Sequence, residues 1–190
     1  MPTPDRTSLD AIVAAAAELL ESEGLPGLTM NAVAQRVGVR PPSLYKRVEG
    51  RDRLIQLVAE GALAELAVRL SAETSAVGMM NLFRDFGRER PAAFQLVMGP
   101  GAGTPAAHPE FGAAATAPIL RVTAQLAGEE HALEAARTLT AWVVGFLSME
   151  LNGRFMLEGD VQQAWEFGLR TVVRAISSAP AAPAASPATG

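Results

Sequence analysis

Between Arg40 and Arg47 the chain gathers two arginines, a lysine, the Ser43 hydroxyl and its single tyrosine, Tyr45. Guanidinium and ammonium groups donate to phosphate oxygens and to the acceptor edge of guanine, and hydroxyls at the same spacing can donate to phosphates. The chemistry on offer is recognition of a polyanion, with no bond made or broken. Charge elsewhere sharpens this. Residues 1–35 carry one cation against five acids, and residues 54–190 carry nine against thirteen. Residues 36–53 carry six cations (Arg36, Arg40, Lys46, Arg47, Arg51, Arg53) against Glu49 and Asp52, an island of +4 in a chain of net charge −4. A local basic patch on an acidic chain fits a phosphate footprint better than general polyanion binding.

Catalytic candidates are scarce. There is no cysteine, which removes thiolate chemistry and Cys-based zinc sites and fits a reducing compartment. His108 and His131 lie far apart, and neither has a second histidine at helical spacing. The GPGAG run at 99–103 resembles a phosphate-cradling loop only in composition, since no strand precedes it and no Lys-Ser/Thr follows. Glu129 and Glu130 sit at a helix start, where acids favour the dipole. No catalytic residue, metal site or cofactor is expected.

The elements that must position Arg40 to Arg47 are two short helices around a tight turn. Thr29 is a good N-cap, and Met30, Val33, Ala34 and Val37 recur at helical spacing after it. Gly38 stands where a left-handed C-terminal residue is needed, and Val39 can plug the angle between the helices. Pro41 and Pro42 suit the first turn of a second helix, which is expected to run through about Arg47 with Leu44 and Val48 inward. Arg40, Ser43, Tyr45, Lys46 and Arg47 are left for the outside. Two helices so joined, with cations on the second, form the layout of a DNA-reading helix-turn-helix over residues 29–48.

The stretch from about Thr7 to Leu70 resembles the N-terminal DNA-binding domain of the TetR family of bacterial transcriptional regulators. The resemblance rests on AAAELLESEGLPGLTMNAVAQRVGV, with its Gly24 break and Leu28-Thr29 junction, and on PSLYKRVEGRDRLIQLV, with its Leu44-Tyr45 pair and a cation opening the next helix. It implies that Thr29, Tyr45 and Arg51 hold phosphates and that Arg40, Ser43 and Lys46 face bases or backbone. Pro42, Leu44 and Arg47 complete the expected interface. Arg47 stands where the family usually has His or Tyr, and Val48 where it has Phe. The backbone clamp is then more electrostatic and the hydrophobic anchor smaller.

The remaining chain reads as helices punctuated by Gly and Pro. A first helix covers about Ser8 to Ser22 and stops at Gly24; a fourth begins near Arg51 with Leu54, Ile55, Leu57, Val58, Leu63, Leu66 and Leu70. Others are expected over Ser75–Arg90, Ala92–Met98, Phe111–Ala127 (with Pro118 at a break or at the start of a second segment), Glu129–Asn152 and Asp160–Ser177. Asp160 and Gln163 are spaced as a capping box. The loop GPGAGTPAAHPE is expected to be mobile and the Pro/Ala-rich tail 178–190 disordered.

WVVGFLSMELNGRF is similar to the C-terminal domain of a WHG-type TetR subgroup, with Val144 in place of the usual His. In this family the body encloses a small effector, so the resemblance implies an effector region. Met79, Met80, Phe83, Phe86, Phe94, Met98, Phe111, Trp142, Phe146 and Met149 supply pliable apolar surface for it, and Arg121, Glu150 and Asn152 are candidate polar anchors. The apolar faces of the last two helices suggest pairing with a second copy as a four-helix bundle.

The expected fold is all-α: a three-helix helix-turn-helix head (1–60) joined by a long fourth helix to a helical effector-binding and dimerisation body (61–177). The length suffices for both cores at 49% apolar content. No basic-plus-apolar leader and no run of about 18 uncharged apolar residues is present, so a cytoplasmic location is expected, nucleoid-associated when DNA is bound, with no membrane partner. The expected function is a non-enzymatic DNA-binding regulator, read as a repressor that holds a palindromic double-stranded DNA operator as a homodimer and is released by a small apolar effector. The alternative is a small-molecule-binding helical protein with no DNA role. Activation in place of repression, the operator, the regulated genes and the effector are left open by the residues.

Overall fold

The computed structural model describes residues 8–178, which form nine α-helices, one 3-10 turn and no strand. Helix α1, Leu9–Gly27, starts on Ser8, whose hydroxyl accepts from the Ala11 amide at 3.1 Å. The expected break falls at Gly24 (φ 69°), after which helical bonding resumes for the few residues to Gly27. Helix α2 spans Met30–Val37, α3 Pro41–Tyr45, and α4 Arg51–Ser71. Ile12, Leu19 and Leu20 of α1, Leu28, Val33, Leu44, Val48 and the first turns of α4 (Leu54, Ile55, Val58) are all buried together. That packing seats α3 beside α2, with Leu44 in the shared core and the outer face left to solvent.

The body comprises α5 (Ala76–Glu89), α6 (Pro91–Met98), α7 (Pro109–Ala127), the 3-10 turn Glu129–His131, α8 (Ala132–Leu151) and α9 (Val161–Ser177). Its core joins Leu66 and Leu70 of α4 to Met79, Met80, Phe83 and Phe86, then to Phe94, Ile119, Val122, Leu139, Val143, Leu147, Trp165 and Leu169. The buried cluster is continuous from α1 to α9, so head and body are packed on one another through α4. Helices α8 and α9 approach closely at Gly168, where any side chain would meet the Trp142 ring.

Several boundaries differ from the sequence expectation. α3 ends at Tyr45, because the Arg47 and Val48 amides both converge on the Leu44 carbonyl (2.8 and 2.9 Å) and close the helix as a tight turn. Pro118 neither breaks nor starts a helix: α7 runs through it, and Ala114, whose carbonyl loses its amide partner, is exposed to solvent. The first turn of the expected Glu129–Asn152 helix is the 3-10 turn. Asp160 caps α9 by accepting from the Gln162 amide at 2.7 Å, so Gln162, and not Gln163, completes the first turn. The loop after α6, expected to be mobile, is pinned at its far end by a bond between His108 Nδ1 and Glu60 Oε1 of α4. The expected disordered tail lies outside the described residues beyond Ser178, which ends α9.

Candidate nucleic-acid interface

Thr29 adopts an extended conformation and its Oγ1 accepts from the Ala32 amide at 3.1 Å, which starts α2. Thr29 is exposed and the cap uses its oxygen only as an acceptor, so its hydroxyl can still donate to a phosphate. At the other end Gly38 takes φ 77°, ψ 35°, and the Gly38 and Val39 amides return to Gln35 and Ala34. This is the left-handed closure that a Gly supplies without strain. Arg40 then serves as the extended N-cap residue of α3, Pro41 and Pro42 fill the first turn, and the Ser43 amide bonds the Arg40 carbonyl at 2.9 Å.

The outcome for the expected contact residues is uneven. Arg40, Pro42, Tyr45, Lys46 and Arg47 are exposed, Tyr45 at 55%, and Ser43 is half-buried on the same side. Leu44 is fully buried, anchoring α3 on the head, and cannot reach DNA. Arg51, expected to hold a phosphate, has intramolecular partners in the free protein. Its Nε donates to the Leu28 carbonyl and its Nη2 to the Leu25 carbonyl, both at 2.7 Å. The guanidinium therefore donates to carbonyls at the end of α1, a favourable place for a cation.

The basic island is reduced accordingly. Arg36 pairs with Glu18 of α1 at 3.2 Å, and Arg53 bonds Gln56 and Glu60 of α4 at 2.8 and 3.1 Å. Burial of Glu60 alone would raise its pKa, but hydrogen bonds from His108 and Arg53, with the Arg53 charge, hold it below the ordinary carboxylate value. Arg36, Arg51 and Arg53 thus serve the head's own structure, and Arg40, Lys46 and Arg47 are exposed around the outward surface of α3.

The expected effector residues divide into two packed groups. Met79, Met80, Phe83, Phe86 and Phe94 fill the core between α5 and α6, Phe83 meeting Phe94 edge-on at 6.5 Å. Trp142 and Phe146 are half-buried in an aromatic stack with Trp165 and Phe155, at centroid distances of 4.7–5.5 Å. Met98 is half-buried against the core. Phe111 borders a groove of about 430 Å³ between α1, α4, α6 and α7, and Met149 one of about 290 Å³ beside the α8–α9 loop. Residues at one helical spacing pack against each other, so the sequence pattern marks core as readily as a pocket wall.

Arg84 was not legible as a site residue, although it interrupts the apolar face of α5 four positions after Met80, which should have demanded a buried partner. It is 4% exposed, forms a bidentate pair with Glu150 of α8 (2.9 and 2.7 Å), donates to Gln162 of α9 at 2.7 Å, and lies 4.7 Å over the Trp165 ring. Glu150, a candidate polar anchor, is thus held by Arg84. Asn152 caps the end of α8, donating to the Ser148 carbonyl at 2.7 Å. Among the described residues no group of three or more His, Cys, Asp or Glu side chains could hold a metal ion, and no helix is long and apolar enough to cross a membrane.

Comparison with known proteins places this geometry. Residues 12–58 match the family described as bacterial regulatory proteins, tetR family, and residues 76–172 match the tetracyclin repressor-like C-terminal domain. The latter match names no WHG-type subgroup. An uncharacterised HTH-type transcriptional regulator of Bacillus subtilis strain 168, YobS, is 24% identical over 84% of this chain and 87% of its own length. The class E tetracycline repressor protein of Escherichia coli is 40% identical over 60 residues, 32% of this chain and 28% of that protein. The crystal structure of a TetR variant from Acinetobacter baumannii AYE in complex with minocycline superposes with a TM-score of 0.64 at 26% identity, over 88% of this chain and 94% of that one.

Proposed function

The chain belongs to the TetR family of bacterial regulatory proteins, DNA-binding transcriptional regulators and not enzymes, and on that premise we propose that it is a dimeric repressor released from an inverted-repeat operator by a small apolar effector. The observation that carries the reading is the outer face of α3. Arg40, Tyr45, Lys46 and Arg47 are exposed on a short helix whose opposite face, Leu44 with Val48 beyond it, is locked in the core. Inserted in a major groove, α3 directs Ser43, Lys46 and Arg47 toward base edges or the flanking backbone. Thr29 and Tyr45 reach phosphates on either side.

A division into a head (1–60) and a body (61–177) fits the role of α4, which belongs to both cores. The second copy docks on α8 and α9. Phe167 is 68% exposed on α9, Ala164 and Ala141 are exposed beside it, and Gly145 has open space where a Cβ would stand. Such a face lets a partner helix approach closely, and a twofold dimer presents its two heads about one helical turn apart on an inverted repeat. The effector enters the body among Met80, Phe83, Phe94, Trp142 and Phe146. These side chains pack on one another, so a ligand must part them, and it shifts the head equilibrium only by its preference for the parted state. The location is cytoplasmic, nucleoid-associated when DNA is bound.

Selection from random duplexes followed by footprinting tests the reading, with the mass of the free protein measured in parallel. The expected result is a protected inverted repeat and a dimer mass at micromolar concentration. Enrichment of no duplex, or a monomer bound to a single half-site, would overturn it.

A further inference from the structure

Helix α6 begins without a cap of its own. Its N-cap residue is Arg90, whose side chain makes no capping bond, and Pro91 occupies the first turn, so Ala92 and Ala93 carry the first free amides. Both are satisfied from the head. Glu21 of α1 accepts from the Ala92 amide through Oε2 at 3.0 Å and from the Ala93 amide through Oε1 at 2.9 Å. A carboxylate at a helix N-terminus is favoured by the dipole as well as by the bonds. The Arg90 guanidinium lies 3.5 Å from the same carboxylate and reaches Glu65 of α4 at 3.2 Å. Glu65 in turn holds Arg69, which holds Glu89 of α5, each at 2.7 Å. The corner between α5 and α6 is therefore tied to α1 by one side chain and to α4 by another.

We propose that Glu21 is the positioning residue that fixes the head on the body: it caps α6 from α1, so that a displacement of α6 turns the head. The inference rests on the regulatory reading above and names the contact through which a body change reaches α3. α1 carries α2 and α3 through the Ile12, Leu19 and Leu20 core, so its orientation is theirs. Coupling of this kind is reciprocal: a head held on DNA restrains α6 in the same measure.

The absence of native cysteine allows a direct test in the full chain. Spin labels are placed on Gln35→Cys in α2 and Thr138→Cys in α8, both exposed positions, and the labelled chain is diluted into excess unlabelled chain so that only intramolecular distances are read. A single narrow head-to-body distance is expected with Glu21 intact. In Glu21→Ala it broadens or shifts, and Glu21→Gln, which keeps one acceptor, falls between. Glu18→Gln, which removes an acid from α1 that pairs inside the head with Arg36, should leave the distance unchanged. A role in stability alone would lower the melting temperature without broadening the distance. A Glu21→Ala distribution that superimposes on the wild type would overturn the proposal. Adding the selected duplex should narrow the distribution in the variant. Enrichment of no duplex would count against DNA binding, while the distances in free protein would still decide the clamp.

Discussion

Arg51 separates a structural cation from a DNA-contacting one. Family resemblance assigns it a phosphate, whereas its guanidinium donates to the Leu25 and Leu28 carbonyls at 2.7 Å each. Hydrogen bonds from a charged donor contribute about 1.5–3 kcal/mol when sheltered. Arg51 is exposed, and water competes for both bonds, so about 1–2 kcal/mol for the pair is the reasonable sum. In a chain of this size that is a loss of roughly 2–8 °C in Tm for Arg51→Ala, without DNA present. Arg51→Lys keeps the charge but not the fork, and should lose about half as much. The second assay is the salt dependence of DNA binding. Each phosphate contact contributes about 0.9 to the slope of log K against log salt, so Lys46→Ala should reduce it by roughly that amount per head. Arg51→Ala should leave it unchanged. If Arg51→Ala melts like the wild type and takes about one unit per head from the slope, Arg51 is a phosphate contact and the structural argument is wrong.

Tyr45→Phe removes only an exposed hydroxyl, so it should weaken every duplex alike by about 1 kcal/mol per head in a titration while leaving the melting curve in place. Gly38→Ala forces a Cβ into φ 77°; its neighbourhood is open, so the cost is backbone strain of about 1–2 kcal/mol, read as a lower Tm. Glu60→Gln should cost about 1–2 kcal/mol at neutral pH. Because the native carboxylate titrates below its ordinary value, its contribution is present above the unfolded pKa and fades as pH falls through the lowered native one. The gap between the two melting curves should therefore shrink as pH falls below the ordinary Glu value of about 4.3, and a gap that stays constant with falling pH would refute the ion-pair origin. Glu150→Ala strands the buried Arg84 and should destabilise by about 3–5 kcal/mol in chemical denaturation, whereas an exposed pair such as Arg170 with Glu166 should cost under about 1.

The head was legible in sequence because its determinants are local. The Thr29 cap, the Gly38 closure and the proline start of α3 each act within a few residues, and each formed as expected. What escaped was long-range. Nothing near Arg51 announces that two carbonyls more than 20 positions upstream will occupy it, and nothing near Arg90 announces that α6 borrows its cap from Glu21. The Met and Phe positions of α5 were read as pliable apolar surface for an effector, yet such side chains can close on each other as well as on a ligand. Pro118 misled because its expected cost assumes that the orphaned carbonyl is buried, whereas Ala114 is exposed. Arg84 on α5 and Glu60 on α4 are buried charged residues whose type contradicts their helical position.

The outward face of α3 is the centre of the account, and a triple variant tests it most directly. Arg40→Ala/Lys46→Ala/Arg47→Ala removes the cations around α3 without touching Leu44, Val48, Arg51 or the Glu21 cap. Binding to the selected duplex should fall by at least about a hundredfold at 0.1 M salt, with a shallower salt slope and an unchanged fold by circular dichroism. A triple variant that binds that duplex as tightly as the wild type, with the same slope, would contradict the claim that this helix reads DNA.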